Sequence, residues 1–159
     1  MKKRVYIETT VISYLTSRPS QNLISAAWQN ITWEWWSRHK DKYDVYISEV
    51  VMREAEKGDA NAVKKRLDAV TGIPLLKLTD EAVVLARKLI DASLLPAVAI
   101  DDALHIAIAA VHEVDYLLTW NYRHIDNAET KPALRSFIVS EGFDCPELTT
   151  PQDFLGGQI

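Results

Sequence analysis

Five oxygen-bearing side chains stand at or near the ends of short apolar runs. Glu8 follows Val5-Tyr6-Ile7, Glu54 lies in the helical stretch that begins at Ser48, Asp101-Asp102 open an Ala-rich apolar run, and Asn121 follows Tyr116-Leu117-Leu118-Thr119. An acid at the end of a buried strand is costly unless it meets a cation or several donors, so acids that converge from separate element ends favour bound metal. Taken one at a time, each can instead cap a helix. Oxygen ligands, with a single cysteine and four histidines in the chain, point to Mg²⁺ or Mn²⁺ rather than Zn²⁺. His105, one helical turn beyond Asp101, either faces the same pocket or is a satisfied packing residue.

The elements that position these residues are read from periodicity. Residues 4–8 form a strand ending in an acid, and Thr9-Thr10 can cap the helix carrying Val11 and Ile12. Ile24, Trp28, Ile31 and Trp35 recur at helical spacing between Asn22 and His39, with Ala27 and Trp36 broadening the stripe. That stripe suits core or dimer packing, or base stacking on RNA. Residues 43–48 alternate as a strand, Ser48 starts a helix that Gly58 stops, and Asp59 begins the next. A short strand at 75–78 precedes a helix signalled by Thr79-Asp80-Glu81 and closed by Pro96. A buried helix spans 101–111, a strand covers 116–119, a helix covers 132–141, and a last weak strand ends at Leu148 before a helical turn at Thr149-Thr150-Pro151. Strands separated by helices imply an α/β fold, a three-layer α/β/α sandwich with a mainly parallel central sheet. Sites in such sheets form beyond the carboxyl ends of the strands.

The 159 residues suit one domain spanning 1–159, with 48% apolar and 25% charged residues and no biased window. The basic start is followed by Glu8 too soon for a signal peptide, and no stretch approaches membrane-spanning length, so a cytoplasmic protein without membrane contact is expected. Cys145 alone allows no internal disulfide. The net charge of −4 argues against coating nucleic acid but leaves local recognition open, because basic residues gather at Lys64-Lys65-Arg66 and around Lys131 and Arg135. Arg123, His124 and Lys131 either line a substrate entrance or form a solvated basic face. A receiver-like or phosphatase-like domain would need Asp-x-Asp where Glu8-Thr9-Thr10 stands, and no Gly-rich phosphate loop is present.

Val5-Tyr6-Ile7-Glu8-Thr9-Thr10-Val11-Ile12, Ile47-Ser48-Glu49-Val50-Val51-Met52-Arg53-Glu54, Asp102-Ala103-Leu104-His105-Ile106-Ala107 and Leu117-Leu118-Thr119-Trp120-Asn121 resemble, in order and spacing, the motifs of PIN-domain ribonucleases, including VapC-type toxins. The resemblance implies a parallel-sheet sandwich, a Mg²⁺ or Mn²⁺ site and endonucleolytic cleavage of RNA. Its acidic positions fall on Glu8, Glu54 and Asp102, with Asn121 as the fourth and Asp101 as a further ligand or a cap. Glu8 stands where Asp is usual, and Asn121 where many members carry Asp, so the carboxylate is moved outward and one charge is removed. A catalytically weakened module that binds RNA or a protein is therefore the alternative. Thr9, Thr119 and His105 are supporting residues, whereas Glu49 and Glu56 read as surface charges. The partners implied are an RNA substrate, a small antitoxin protein and a second copy in a homodimer.

Overall fold

In the computed structural model, which describes residues 1–156, five parallel strands form one central sheet flanked by seven α-helices. This is the α/β/α sandwich expected, and positions 157–159 of the expected domain lie outside the described residues. The strands are β1 (Arg4–Ile7), β2 (Asp44–Ser48), β3 (Leu75–Leu76), β4 (Tyr116–Leu118) and β5 (Glu147–Thr149). The helices are α1 (Thr9–Thr16), α2 (Leu23–Arg38), α3 (Glu49–Ala55), α4 (Ala60–Val70), α5 (Asp80–Asp91), α6 (Ile100–Val111) and α7 (Lys131–Ser140). Among the described residues no helix is long and apolar enough to cross a membrane.

The sheet order β3-β2-β1-β4-β5 fixes the location of a site. From the central β1 the chain builds outward through β2 and β3, then returns to β4 on the other side. The reversal lies between β1 and β4, and in parallel sheets the crevice at such a switch point is where ligands bind. Register places Val5 beside Tyr116, Tyr6 beside Leu117 and Ile7 beside Leu118. Glu8 and Thr119 are therefore the next residues out on the two strands that flank the switch.

Strand alternation divides the core. Tyr6 turns towards α6, where its hydroxyl meets His105, and Leu117 shares that face by register. Val5 and Tyr116 turn the other way, and Tyr116 packs edge-on against Phe154 in the 3₁₀ turn Pro151–Phe154, which packs on α2. Trp35 of α2 is fully buried against Tyr43 and Phe154. The apolar stripe of α2 is narrower than its spacing suggests, because Ile24 is exposed at its start and Ala27 is exposed as well. Trp28 is stacked on Trp120 with centroids 4.9 Å apart, and Trp36 is half-buried under Lys40. All three stripe tryptophans pack against the protein itself.

Caps delimit most of the helices. Asn22, Ser48, Asp59 and Thr79 each accept a backbone N–H of the helix they precede, and Gly58, at φ +103°, makes the left-handed turn between α3 and Asp59. One cap decides between two open readings, and another differs from expectation. Glu8 itself, rather than Thr9 or Thr10, caps α1, and α6 begins after Ala99 with no side-chain cap, so neither Asp101 nor Asp102 serves as one.

Trp120 ties α2 to the strand end. Its indole N–H donates to the buried Thr32 hydroxyl at 2.7 Å, and its backbone N–H donates to Thr10 Oγ1 at 2.9 Å. Replacing Thr32 by Val leaves the indole N–H without an acceptor in a dry environment, at a cost of about 1–3 kcal/mol. Urea unfolding of Thr32→Val is expected to show a lower midpoint at unchanged slope, and a midpoint equal to wild type would contradict this.

Candidate active site

Glu8 leaves the sheet while still attached to it, its N–H donating to the Leu118 carbonyl at 3.0 Å. Its side chain is 2% exposed. Thr10 donates twice, from its N–H to Oε2 at 3.0 Å and from its hydroxyl to Oε1 at 2.5 Å, and the fully buried Thr119 hydroxyl donates to Oε1 at 2.6 Å. Burial pushes the Glu8 carboxyl above its ordinary range, only partly countered by the His105 charge and by these donors. A carboxylate that remains strained in its charged form, with lone-pair capacity left on Oε2, is suited to a cation.

Glu54 arrives from the last turns of α3. Its Oε1 accepts the Thr9 hydroxyl and His105 Nε2, both at 2.6 Å, while Oε2 takes no hydrogen bond from the described residues. Burial pushes this carboxyl up, but the His105 hydrogen bond and charge, the Thr9 hydroxyl and Arg53 together hold it below its ordinary value. His105 is fully buried on α6, with Nδ1 at 2.6 Å from the Tyr6 hydroxyl. Burial lowers its pKa, yet the Glu54 hydrogen bond and the charges of Glu8, Glu54 and Asp102 leave it raised. Ligating atoms of Glu8, Glu54 and His105 all lie within 4.8 Å of one another.

The remaining expected residues fall around this triplet. Asp102 is on the first turn of α6 and pairs with His124 Nδ1 at 2.8 Å, both side chains about one-fifth exposed. It is near enough to raise the His105 pKa but outside the triplet. Asp101 turns away to Arg53, in an ion pair of 2.8 Å open to solvent. Asn121 accepts the His124 N–H on its Oδ1, so it secures the loop that carries His124. Thr119 has two tasks, donating to Glu8 and accepting the Asn121 N–H at 2.9 Å. Lys131, read as lining either a substrate entrance or a solvated basic face, pairs with Asp126 at 2.6 Å.

Tyr6, Thr10 and Ser48 also belong to the constellation, and the sequence did not mark any of them as site residues. Tyr6 reads as one more apolar strand residue, and only its placement on the α6 face reveals the hydroxyl's role. Ser48 reads as a cap, which it is, and it also meets the Tyr6 hydroxyl at 2.7 Å.

These donors fit a hard divalent cation. Two carboxylates converge in a partly desolvated place, each with acceptor capacity directed at no donor among the described residues, and His105 lies within reach of both. Glu8 and Glu54 are the carboxylates that would hold it.

The paired shifts set a pH window for the metal-free protein. Glu54, held low, contributes stability above its ordinary pKa of 4.5 that is lost as pH falls through its lower folded value. His105, held high, contributes stability that is full below its ordinary 6.5 and is lost as pH rises through its raised folded value. The urea midpoint of wild type relative to His105→Gln is therefore expected to be largest between those two ordinary values and to shrink as pH rises further. A gap that stays constant across neutral and alkaline pH would refute the pairing.

No protein-family model matches this chain, and no curated protein sequence matches it.

Proposed function

We propose that this chain is a divalent-metal-dependent endoribonuclease of the PIN type, with Mg²⁺ or Mn²⁺ held by Glu8, Glu54 and Asp102 and with Asn121 at the rim. The observation that carries the reading is the meeting of Glu8 with Glu54 and His105 at the β1–β4 switch point, ligating atoms within 4.8 Å. A buried Glu8 whose charged form is still disfavoured, close to a second carboxylate, would gain from a cation that joins them. A divalent ion in such a place supplies an activated water and neutralises charge developing on the attacked phosphate.

The chain's own residues prepare that chemistry. Thr119 and Thr10 fix Glu8, and Thr9 with His105 fixes Glu54, so that the carboxylates need not reorganise as charge develops. His124 holds Asp102 through its Nδ1. Water attack on phosphorus with cleavage of the P–O3′ bond leaves 5′-phosphate and 3′-hydroxyl ends. At the far end of α1, Arg18 and Lys65 line a cleft of about 590 Å³ with Thr16, Asp59 and Asn61, and neither cation has an ion-pair partner among the described residues. Such cations suit the phosphates of a nucleic-acid backbone. Acting in the cytoplasm, the enzyme would be restrained by a small antitoxin protein that covers the acidic edge, and it would work as a homodimer.

A second reading, a weakened module that binds RNA or a protein without cutting, is favoured by one observation. Glu54 and Asp102 each already have a histidine partner, so part of their charge is balanced without metal. The two readings part on measurement. The enzyme is expected to cleave RNA with Mn²⁺ or Mg²⁺, to stop with EDTA, and to lose about a hundredfold or more with Asp102→Asn, the scale for removing one preorganised group from a charged transition state. Activity persisting in Glu8→Gln/Asp102→Asn would refute it. A folded wild-type protein that neither binds Mn²⁺ by calorimetry nor cuts would favour the module.

A further inference from the structure

Behind Glu54 runs a closed chain of buried polar groups with one direction. Ser48 Oγ, at the end of β2, accepts the N–H groups of both Val50 and Val51 at 3.2 Å, which occupies its acceptor capacity with the cap of α3. Its own proton then has one neighbour, the Tyr6 hydroxyl oxygen at 2.7 Å. With its oxygen accepting the Ser48 hydrogen bond, the Tyr6 hydroxyl has its own hydrogen free for His105 Nδ1, 2.6 Å away. The neutral ring must then carry its proton on Nε2, which donates to Glu54 Oε1 at 2.6 Å. Tyr6, Ser48 and His105 are all fully buried, so water does not compete for the Ser48–Tyr6 and Tyr6–His105 links.

The geometry points to Tyr6 and His105 as positioning residues: the cap of α3 sets the order of donors so that His105 presents an N–H, not a lone pair, to Glu54 and leaves Glu54 Oε2 as the atom offered to a ligand. His105 thereby stands inside the triplet of possible ligands as a donor to one of them. A cation at the site would be held by oxygen alone, which selects for Mg²⁺ or Mn²⁺ and against metals that prefer imidazole. This last consequence rests on the reading of Glu54 as a site carboxylate, whereas the donor order does not.

The test is ¹⁵N NMR of the His105 ring in the full-length, metal-free protein, at a pH where the ring is neutral. Wild type is expected to show a protonated Nε2 and an unprotonated, hydrogen-bonded Nδ1. Glu54→Gln, whose amide can either donate or accept, should keep that tautomer, because the chain from Ser48 alone enforces it. Tyr6→Phe/Glu54→Gln should lose it to a mixture. A proton on Nδ1 in wild type or in Glu54→Gln would overturn the inference, as would an unchanged ring in the double variant. For the positioning role, Tyr6→Phe should weaken Mn²⁺ binding about tenfold or more, the scale for groups that orient a metal ligand. An equal affinity would overturn that role, and wild type with no Mn²⁺ affinity but the Nε2 proton in place would remove the nuclease reading while leaving the donor order standing.

Discussion

The burial of Glu8 is the constraint around which the rest of the site is built. A carboxylate on the residue after the central strand can be kept only if nearby groups offset its lost hydration, and hydrogen bonds to a charged acceptor contribute roughly 1.5–3 kcal/mol each. Thr10 supplies two of them from the first turn of α1, and Thr119 supplies the third from the end of β4. Those same hydroxyls also accept the Trp120 and Asn121 N–H groups, so the donors to Glu8 hold the loop that follows β4. The strand pair, the helix start and the loop are thus assembled around one oxygen-rich point.

His105 connects that point to the core. Its ring fills a buried place on α6 as an apolar residue would, while both nitrogens are used, one towards Tyr6 and one towards Glu54. It is a satisfied packing residue and a member of the acidic site at once. Substitution at Tyr6, although on the core face of β1, therefore reaches the carboxylate of α3 through two hydrogen bonds.

Much of the fold was legible because local signals agreed. Apolar strands, Ser48, Asp59 and Thr79 at helix starts, and the Ala-rich α6 all stand within a residue or two of their expected places. Strand-end logic also led to Glu8 and to the Thr119–Asn121 loop. Less legible was everything that depends on where side chains turn in three dimensions. Asp101 and Asp102 are adjacent in sequence, but helical geometry sends them 100° apart, one to Arg53 in solvent and the other to His124 at the site. Periodicity extended the α2 stripe to Ile24 and Ala27, which lie beyond the edge of the surface that α2 covers. The Tyr6 hydroxyl left no mark in the pattern, since a tyrosine in a strand satisfies the same alternation as a phenylalanine.

What unites the fold and the proposed chemistry is the claim that Glu8 and Glu54 share a divalent cation at the switch point of the sheet. Anomalous diffraction from a crystal soaked in Mn²⁺ tests it most directly. A manganese peak within coordination distance of Glu8 Oε2 and Glu54 Oε2, with His105 Nε2 still bonded to Glu54, is the result predicted. A manganese-saturated crystal with no peak there and both carboxylates unmoved would contradict the claim.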